Sequence, residues 1–350
     1  MTTSDGSVLG CTTIVDRGSP AVCWNLVFLG DGYGSTQLTQ YATDVNNAAS
    51  VLLNTPPFKG RRGVINVYRV DVSSTDSGAD DPTACGGSGA VRRTYFDATF
   101  CTNGIQRLLT VDAATALAVA GAQVPAFDAV LVVVNSPVYG GSGGAVGVFS
   151  LAANATEIAI HELGHSAFGL ADEYTYYRGC GSGETDRDNH PPFEPVEPNV
   201  TIASTRATLK WRDLVLGSTP VPTMTNPDCT QCDTRPSTVP AGTVGAFEGA
   251  HYHHCRAYRP EHSCKMLTLG APFCAVCQRR IRQVLPTTVP HVRELRVARA
   301  VRLVRGAGLV PRLVGTQRPD SWVGRQFPRA DAIVASGSQV TLHLRSGPIP

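Results

Sequence analysis

Short apolar runs alternate with helical repeats along the first 170 residues. Residues 22–29 (VCWNLVFL) are apolar apart from Asn25 and end at Gly30-Asp31-Gly32, which predicts a buried strand and a turn. From Ser35 to about Leu53, the residues Leu38, Tyr41, Val45, Ala48, Ala49 and Leu52 recur at helical spacing, and Pro56-Pro57 stops the helix. Val64–Val72 reads as a second strand, with Val64, Asn66, Tyr68, Val70 and Val72 on one face. A loop rich in Ser, Asp and Gly fills 73–94. The pattern then predicts a helix over 104–120 and a buried strand over Phe127–Asn135 (FDAVLVVVN). A glycine-rich stretch, Tyr139–Gly147, leads into a short strand and a helix over 154–168. This rhythm predicts an α/β layer whose sheet carries helices on its faces.

Beyond it the pattern changes. From Gly179 to about Gly249 prolines recur, Pro191-Pro192, Pro220 and Pro240 among them, and regular periodicity is lost, as in an irregular subdomain held by cysteines. The expected organisation is an upper subdomain over about 1–169, a loop-rich lower one over about 170–285, and a linker over 286–290. A small α+β domain over 289–350 follows, with ten Arg, no Cys and an alternating segment at Gln339–Leu344.

At 350 residues the chain has ample length for a core, and a net charge of +2 argues against nucleic acid as the main partner. No apolar run is long enough to span a membrane. MTTSDGSVLG lacks the basic and apolar regions of a signal peptide, yet eleven cysteines in Gly- and Pro-rich spans favour an oxidising compartment. A secreted or cell-wall-associated protein with a trimmed leader is therefore expected, as a monomer. Cys229-x-x-Cys232 and Cys274-x-x-Cys277 are read as disulfide cysteines, with a structural Cys₄ zinc site as the alternative. His251, His253 and His254 lack the i, i+4 spacing of helix ligands, so surface or supporting roles are expected of them.

The chemistry concentrates in His161-Glu162-Leu163-Gly164-His165. Residues i and i+4 share a helix face, so both imidazoles can reach one metal ion, and Glu162 is placed to act on its water. Gly169 ends the helix in a left-handed turn, and Asp172 follows as the expected third ligand, with Glu173 as the alternative. The arrangement departs from HExxHxxGxxH by one added residue, Phe168, and by Asp in place of the third His.

From these blocks the chain resembles the IgA-peptidase-like zinc metallopeptidases over roughly residues 24–282. The likeness runs through Phe28-Leu29-Gly30-Asp31-Gly32-Tyr33, Asn66–Asp71 with Asp76–Asp80, and Tyr139–Gly144. It continues through HELGHSAFGLADEY, Tyr258-Arg259-Pro260, Cys264-Lys265-Met266 and Phe273–Cys277. The resemblance implies a secreted zinc endopeptidase with a metzincin-like core: a mixed sheet, an active-site helix, one catalytic zinc and a protein or peptide substrate. It assigns Met266 to a tight turn under the metal. Thr268 stands where some metzincins have a Tyr, which leaves Tyr252 and Tyr258 as oxyanion-donor candidates. Gly143, Gly144, Ala145 and Val146 are read as an edge strand for an extended substrate, or else as a glycine loop.

The C-terminal residues resemble a PASTA repeat through Val289-Pro290, Gly306–Val310, Gln326-x-Pro328 and Gly337-Ser338-x-Val340. That likeness implies a bacterial source and affinity for peptidoglycan, or a spacer role. A basic face (Arg293, Arg296, Arg299, Arg302, Arg305) would suit anionic wall polymers. The rival functions are a non-catalytic wall-binding protein with a structural zinc, and a zinc hydrolase of wall peptides.

Overall fold

The computed structural model describes residues 5–180 and 187–349. Its main sheet has six strands: β1 (Gly6–Val15), β2 (Trp24–Asp31), β3 (Ile65–Ser74), β4 (Ala129–Val134), β5 (Gly141–Ser142) and β6 (Gly147–Ser150), ordered β1-β3-β2-β4-β6-β5. β3, β2, β4 and β6 run parallel, while β1 and β5 pair antiparallel at the two edges, so the sheet is mixed.

Both faces of the central strands are covered, which is why β2 and β4 read as uninterrupted apolar runs. Leu26 and Phe28 face one core with helices α1 (Leu38–Asn54) and α3 (Ala155–Phe168); Val27 and Leu29 face a second core under α2 (Ala113–Gln123). Tyr41, Val45, Ala48, Ala49 and Leu52 are the buried stripe of α1.

At the carboxyl end of β2, Asp31 is fully buried and accepts from Ser74 Oγ, Thr94 Oγ1 and the amides of Phe96 and Ala98. These bonds fold the 73–98 loop over the sheet. Two differences from the expected pattern have local causes. The helix expected over 104–120 starts at Ala113, because Asp112 caps it and Thr99–Thr110 is held in an irregular strap by backbone bonds and the Cys85–Cys101 disulfide. β1 is an edge strand with no buried residue, and so carries no apolar signature.

The loop-rich region before the C-terminal module holds the hairpin β7 (Phe247–Ala250) and β8 (His253–Arg259), and helix α4 (Ala275–Val284). Disulfides Cys180–Cys232 and Cys229–Cys255 tie its loops. The disulfide reading of the two CxxC pairs therefore holds for Cys229 and Cys232 and fails for Cys274 and Cys277, which are free thiols; the alternative four-cysteine zinc site is overturned because Cys229 and Cys232 have other partners. His253 and His254 are buried rather than on the surface, with Nδ1 atoms against the carbonyls of His251 and Cys229.

Pro286–Pro290 is not a free linker. Thr287–Thr288 form β9, paired with β12 (Ile333–Val334) of the C-terminal module. That module places α5 (Val297–Gly306) against β10 (Val310–Val314), β13 (Gln339–Arg345) and β11 (Trp322–Phe327). Its own small core includes Val289, Val304, Val323 and Leu342. Among the described residues no helix is long and apolar enough to cross a membrane.

Candidate active site

Helix α3 runs beneath β6, and its buried face presents His161 and Glu162 while His165 lies at the cleft margin. Each imidazole is fixed from behind: His161 Nδ1 lies 3.0 Å from the Lys265 carbonyl, and His165 Nδ1 2.7 Å from that of Leu170. A carbonyl only accepts, so both rings carry their proton on Nδ1 and, when neutral, turn the Nε2 lone pair inward. The two Nε2 atoms are 3.2 Å apart.

Gly169 (φ 60°, ψ 40°) ends α3, its amide donating to Gly164 and His165 carbonyls, and Leu170 N donates to Gly164 O. This left-handed cap reverses the chain. Asn199 then clamps Ala171 through both its amide and its carbonyl, and Asp172 arrives with Oδ1 3.0 Å from His161 Nε2 and 3.2 Å from His165 Nε2. Although close to both rings, this buried oxygen receives no properly aligned hydrogen bond. With both imidazoles neutral, three lone-pair donors thus face one point, an arrangement that a cation resolves. Without an ion, burial opposes charge on His165, but Asp172 and Glu162 outweigh it and raise the imidazole to about 9.

Glu162 is buried beside them, facing Gly141, where an added Cβ would come within 2.9 Å of its Oε1. Burial pushes its carboxyl above the ordinary range. Beneath the histidines, Met266 is fully buried, and a Cβ on Gly164 would lie 2.7 Å from its Sδ. The Met266 turn closes on Cys264, whose carbonyl accepts from the amides of Leu267 and Thr268.

The surrounding cleft of about 400 Å³ is lined by Arg107, Leu108, Gly141–Gly144, Tyr174, Tyr177 and Tyr252. A larger hollow of about 870 Å³ lies between α4 and the C-terminal module, away from these groups, and contains no His. Tyr252 donates its hydroxyl to Asp172 Oδ2, and the Tyr174 hydroxyl is 2.9 Å from His161 Nε2. Tyr174 escaped the sequence reading although it follows Asp172 by two residues; an i, i+2 step in extended chain returns a side chain to the same face.

Three expected roles move. Glu173 points away from the histidines into a cluster of cysteines, on the side of the chain opposite Asp172. Tyr258 is not in the cleft and lies 3.5 Å from Glu248. Gly143–Val146 is the turn joining β5 to β6, and the edge strand itself is Gly141–Ser142. Its outer side is partly covered, since Gly141 N donates to Arg107 O and Ser142 Oγ to Leu109 O. Gly143 is needed where it stands, because a Cβ there would meet the His165 side chain at 2.3 Å.

No curated protein matches the chain. A family model described as IgA Peptidase M64 matches residues 12–235 and 233–285, and a PASTA domain model matches residues 287–346. The first match covers well over half of the chain and includes the histidine helix, the Asp172 segment and the Met266 turn; the chain therefore belongs to the IgA Peptidase M64 family, a family of peptidases, and carries a PASTA domain after the matched region.

Proposed function

We propose that the protein is a secreted zinc endopeptidase with a metzincin-like core, in which His161, His165 and Asp172 hold the ion and Glu162 is the general base. The reading is carried by the convergence of two Nε2 lone pairs and the orphaned Asp172 Oδ1 on one point beside Glu162. Two neutral imidazoles and a carboxylate in an open cleft are a donor set that suits catalytic zinc. When bound, zinc supplies Lewis acidity, polarising a carbonyl and lowering the pKa of water to about 7.

The chain's own residues do the rest. Glu162 takes a proton from the attacking water and returns it to the leaving amine nitrogen, a task suited to a carboxyl raised by burial. Tyr252 orients Asp172 through its other oxygen. The Tyr174 hydroxyl stands beside the reacting position as a donor to the developing oxyanion. Met266 packs under Gly164 and fixes the height of the helix. Three disulfides and a PASTA domain, a module of cell-wall-associated proteins, support an extracytoplasmic setting.

The test is hydrolysis of an unstructured protein by the full chain and by Glu162→Gln. The variant is expected to keep its zinc and lose activity by about 10²-fold or more. Equal turnover at equal zinc content would remove Glu162 from the reaction. A second reading, cleavage of wall cross-link peptides, is favoured by the PASTA match. Faster turnover of peptidoglycan peptides than of casein would select it.

A further inference from the structure

Cys264, Cys274, Cys277 and Glu173 form a second constellation, sealed from solvent: each is at most 1% exposed. Their potential ligand atoms all lie within 4.8 Å of one another. Cys264 Sγ is 3.7 Å from Cys277 Sγ, and Glu173 Oε1 is 3.6 Å from Cys277 Sγ and 4.0 Å from Cys274 Sγ. In a zinc tetrahedron with Zn–S about 2.3 Å and Zn–O about 2.1 Å, the S–S edge is about 3.8 Å and the S–O edge about 3.6 Å. The Cys264–Cys277 and Glu173–Cys277 spacings match those edges and the Glu173–Cys274 spacing exceeds its edge slightly, whereas a disulfide would need sulfurs about 2.0 Å apart.

Two further observations point to an ion. Glu173 is wholly buried, and its Oε2 has no hydrogen-bond partner among the described residues; the buried Arg259 guanidinium attracts the carboxyl but donates its hydrogen bonds to the carbonyls of His262, Glu248 and Gly249, so this oxygen is left for an ion. The thiols are prepared as acceptors: Cys274 N donates to Cys264 Sγ, and Cys277 N, in the first turn of α4, donates to Cys274 Sγ. Amide donors at a helix N-terminus favour thiolate. Asn199 Nδ2 holds Glu173 Oε1 from the opposite side.

The geometry points to a structural zinc site formed by Cys264, Cys274, Cys277 and Glu173, distinct from the cleft and from the Cys229/Cys232/Cys274/Cys277 site that the sequence offered as an alternative to disulfides. Such an ion joins three segments that must meet for the cleft to form. Glu173 follows Asp172 directly, and its amide donates to Met266 O; Cys264 opens the Met266 turn; Cys274 and Cys277 start α4. The site braces the Asp172 segment and the Met266 turn without access to substrate. Six other cysteines pair as disulfides, and these three thiols, close enough to one another to be linked by a small movement, stay apart.

The test uses the full chain with both histidines replaced, His161→Ala/His165→Ala, purified from zinc-replete medium. About one zinc per chain is expected to remain, and zinc-edge absorption fine structure should fit about three sulfurs at about 2.3 Å with one lighter atom. The wild-type protein should hold about two zinc ions and show a mixed sulfur and nitrogen shell, a readout that stands even if the double variant does not fold. Zinc with no sulfur shell in the wild type would overturn the site. So would a peptide map, made after alkylation in denaturant, that links any two of these three cysteines. Failure of the cleft reading looks different: a single sulfur-bound zinc in the wild type, unchanged by the histidine substitutions.

Discussion

Asp172 and Glu173 are adjacent in sequence, carry the same functional group, and serve two constellations of opposite character. Asp172 faces two imidazoles in a cleft, where the His165 side chain keeps 18% of its surface exposed. Glu173 faces three thiols in a pocket with almost no exposure. Reactive chemistry needs an open position and a hard, exchangeable environment; a brace needs saturation by soft ligands and no water. One peptide bond of extended chain separates the two because successive side chains point to opposite sides.

Chelation tests this contrast most strongly. With 1,10-phenanthroline, activity should vanish as about one zinc leaves the cleft, while the melting temperature stays nearly constant and the sealed ion remains until the chain unfolds. Simultaneous loss of both ions with unfolding would erase the distinction. Paired substitutions sharpen it. Asp172→Asn should cost about 10²-fold in activity through weaker metal holding, at little cost in stability. Glu173→Gln should do the reverse, lowering the melting temperature and the sulfur-bound zinc while the isolated Glu162 chemistry survives in the folded fraction. Thermal unfolding, metal content and kcat/KM on both variants separate the two.

Gly164→Ala probes the packing between the constellations. The new Cβ would lie 2.7 Å from Met266 Sδ, and Met266 cannot retreat without disturbing Cys264 or the Glu173 amide that holds its carbonyl. The expected cost is about 1–3 kcal/mol, read by denaturant unfolding. A neutral substitution would mean that the turn yields freely.

How much of this is legible in the sequence differs between the two constellations for the same reason. His161, Glu162 and His165 are local: helix periodicity alone brings them together, and Gly169 signals the turn toward Asp172. The central strands are equally legible because burial on both faces leaves continuous apolar runs. Edge strand β1 and the disulfide-held strap over Thr99–Thr110 carry no such pattern. The thiol cluster draws on positions 173, 264, 274 and 277, so spacing cannot group them. The visible CxxC pairs invited a pairing that the 229–255 and 180–232 bridges exclude. The role of Tyr174 was hidden by its neighbours, since a carboxylate two residues earlier attracts the assignment first.

Tyr174→Phe carries the smallest expected effect and decides what the open side of the comparison contributes beyond metal holding. The hydroxyl is 2.9 Å from His161 Nε2, whose only available proton position faces the Lys265 carbonyl, so Tyr174 donates and the ring accepts. Once the Nε2 lone pair is committed to an ion, that donor loses its partner and stands free at the edge of the cleft. Substrate carbonyl oxygen gains negative charge only as the reaction proceeds, so a donor aimed there strengthens mainly in the transition state. Tyr174→Phe should therefore lower kcat about tenfold, about 1.4 kcal/mol of barrier, with KM and zinc content unchanged. A rise in KM alone would make Tyr174 a substrate-binding wall. Loss of zinc would make it a support for His161, and the cleft would then owe its oxyanion stabilisation to other donors.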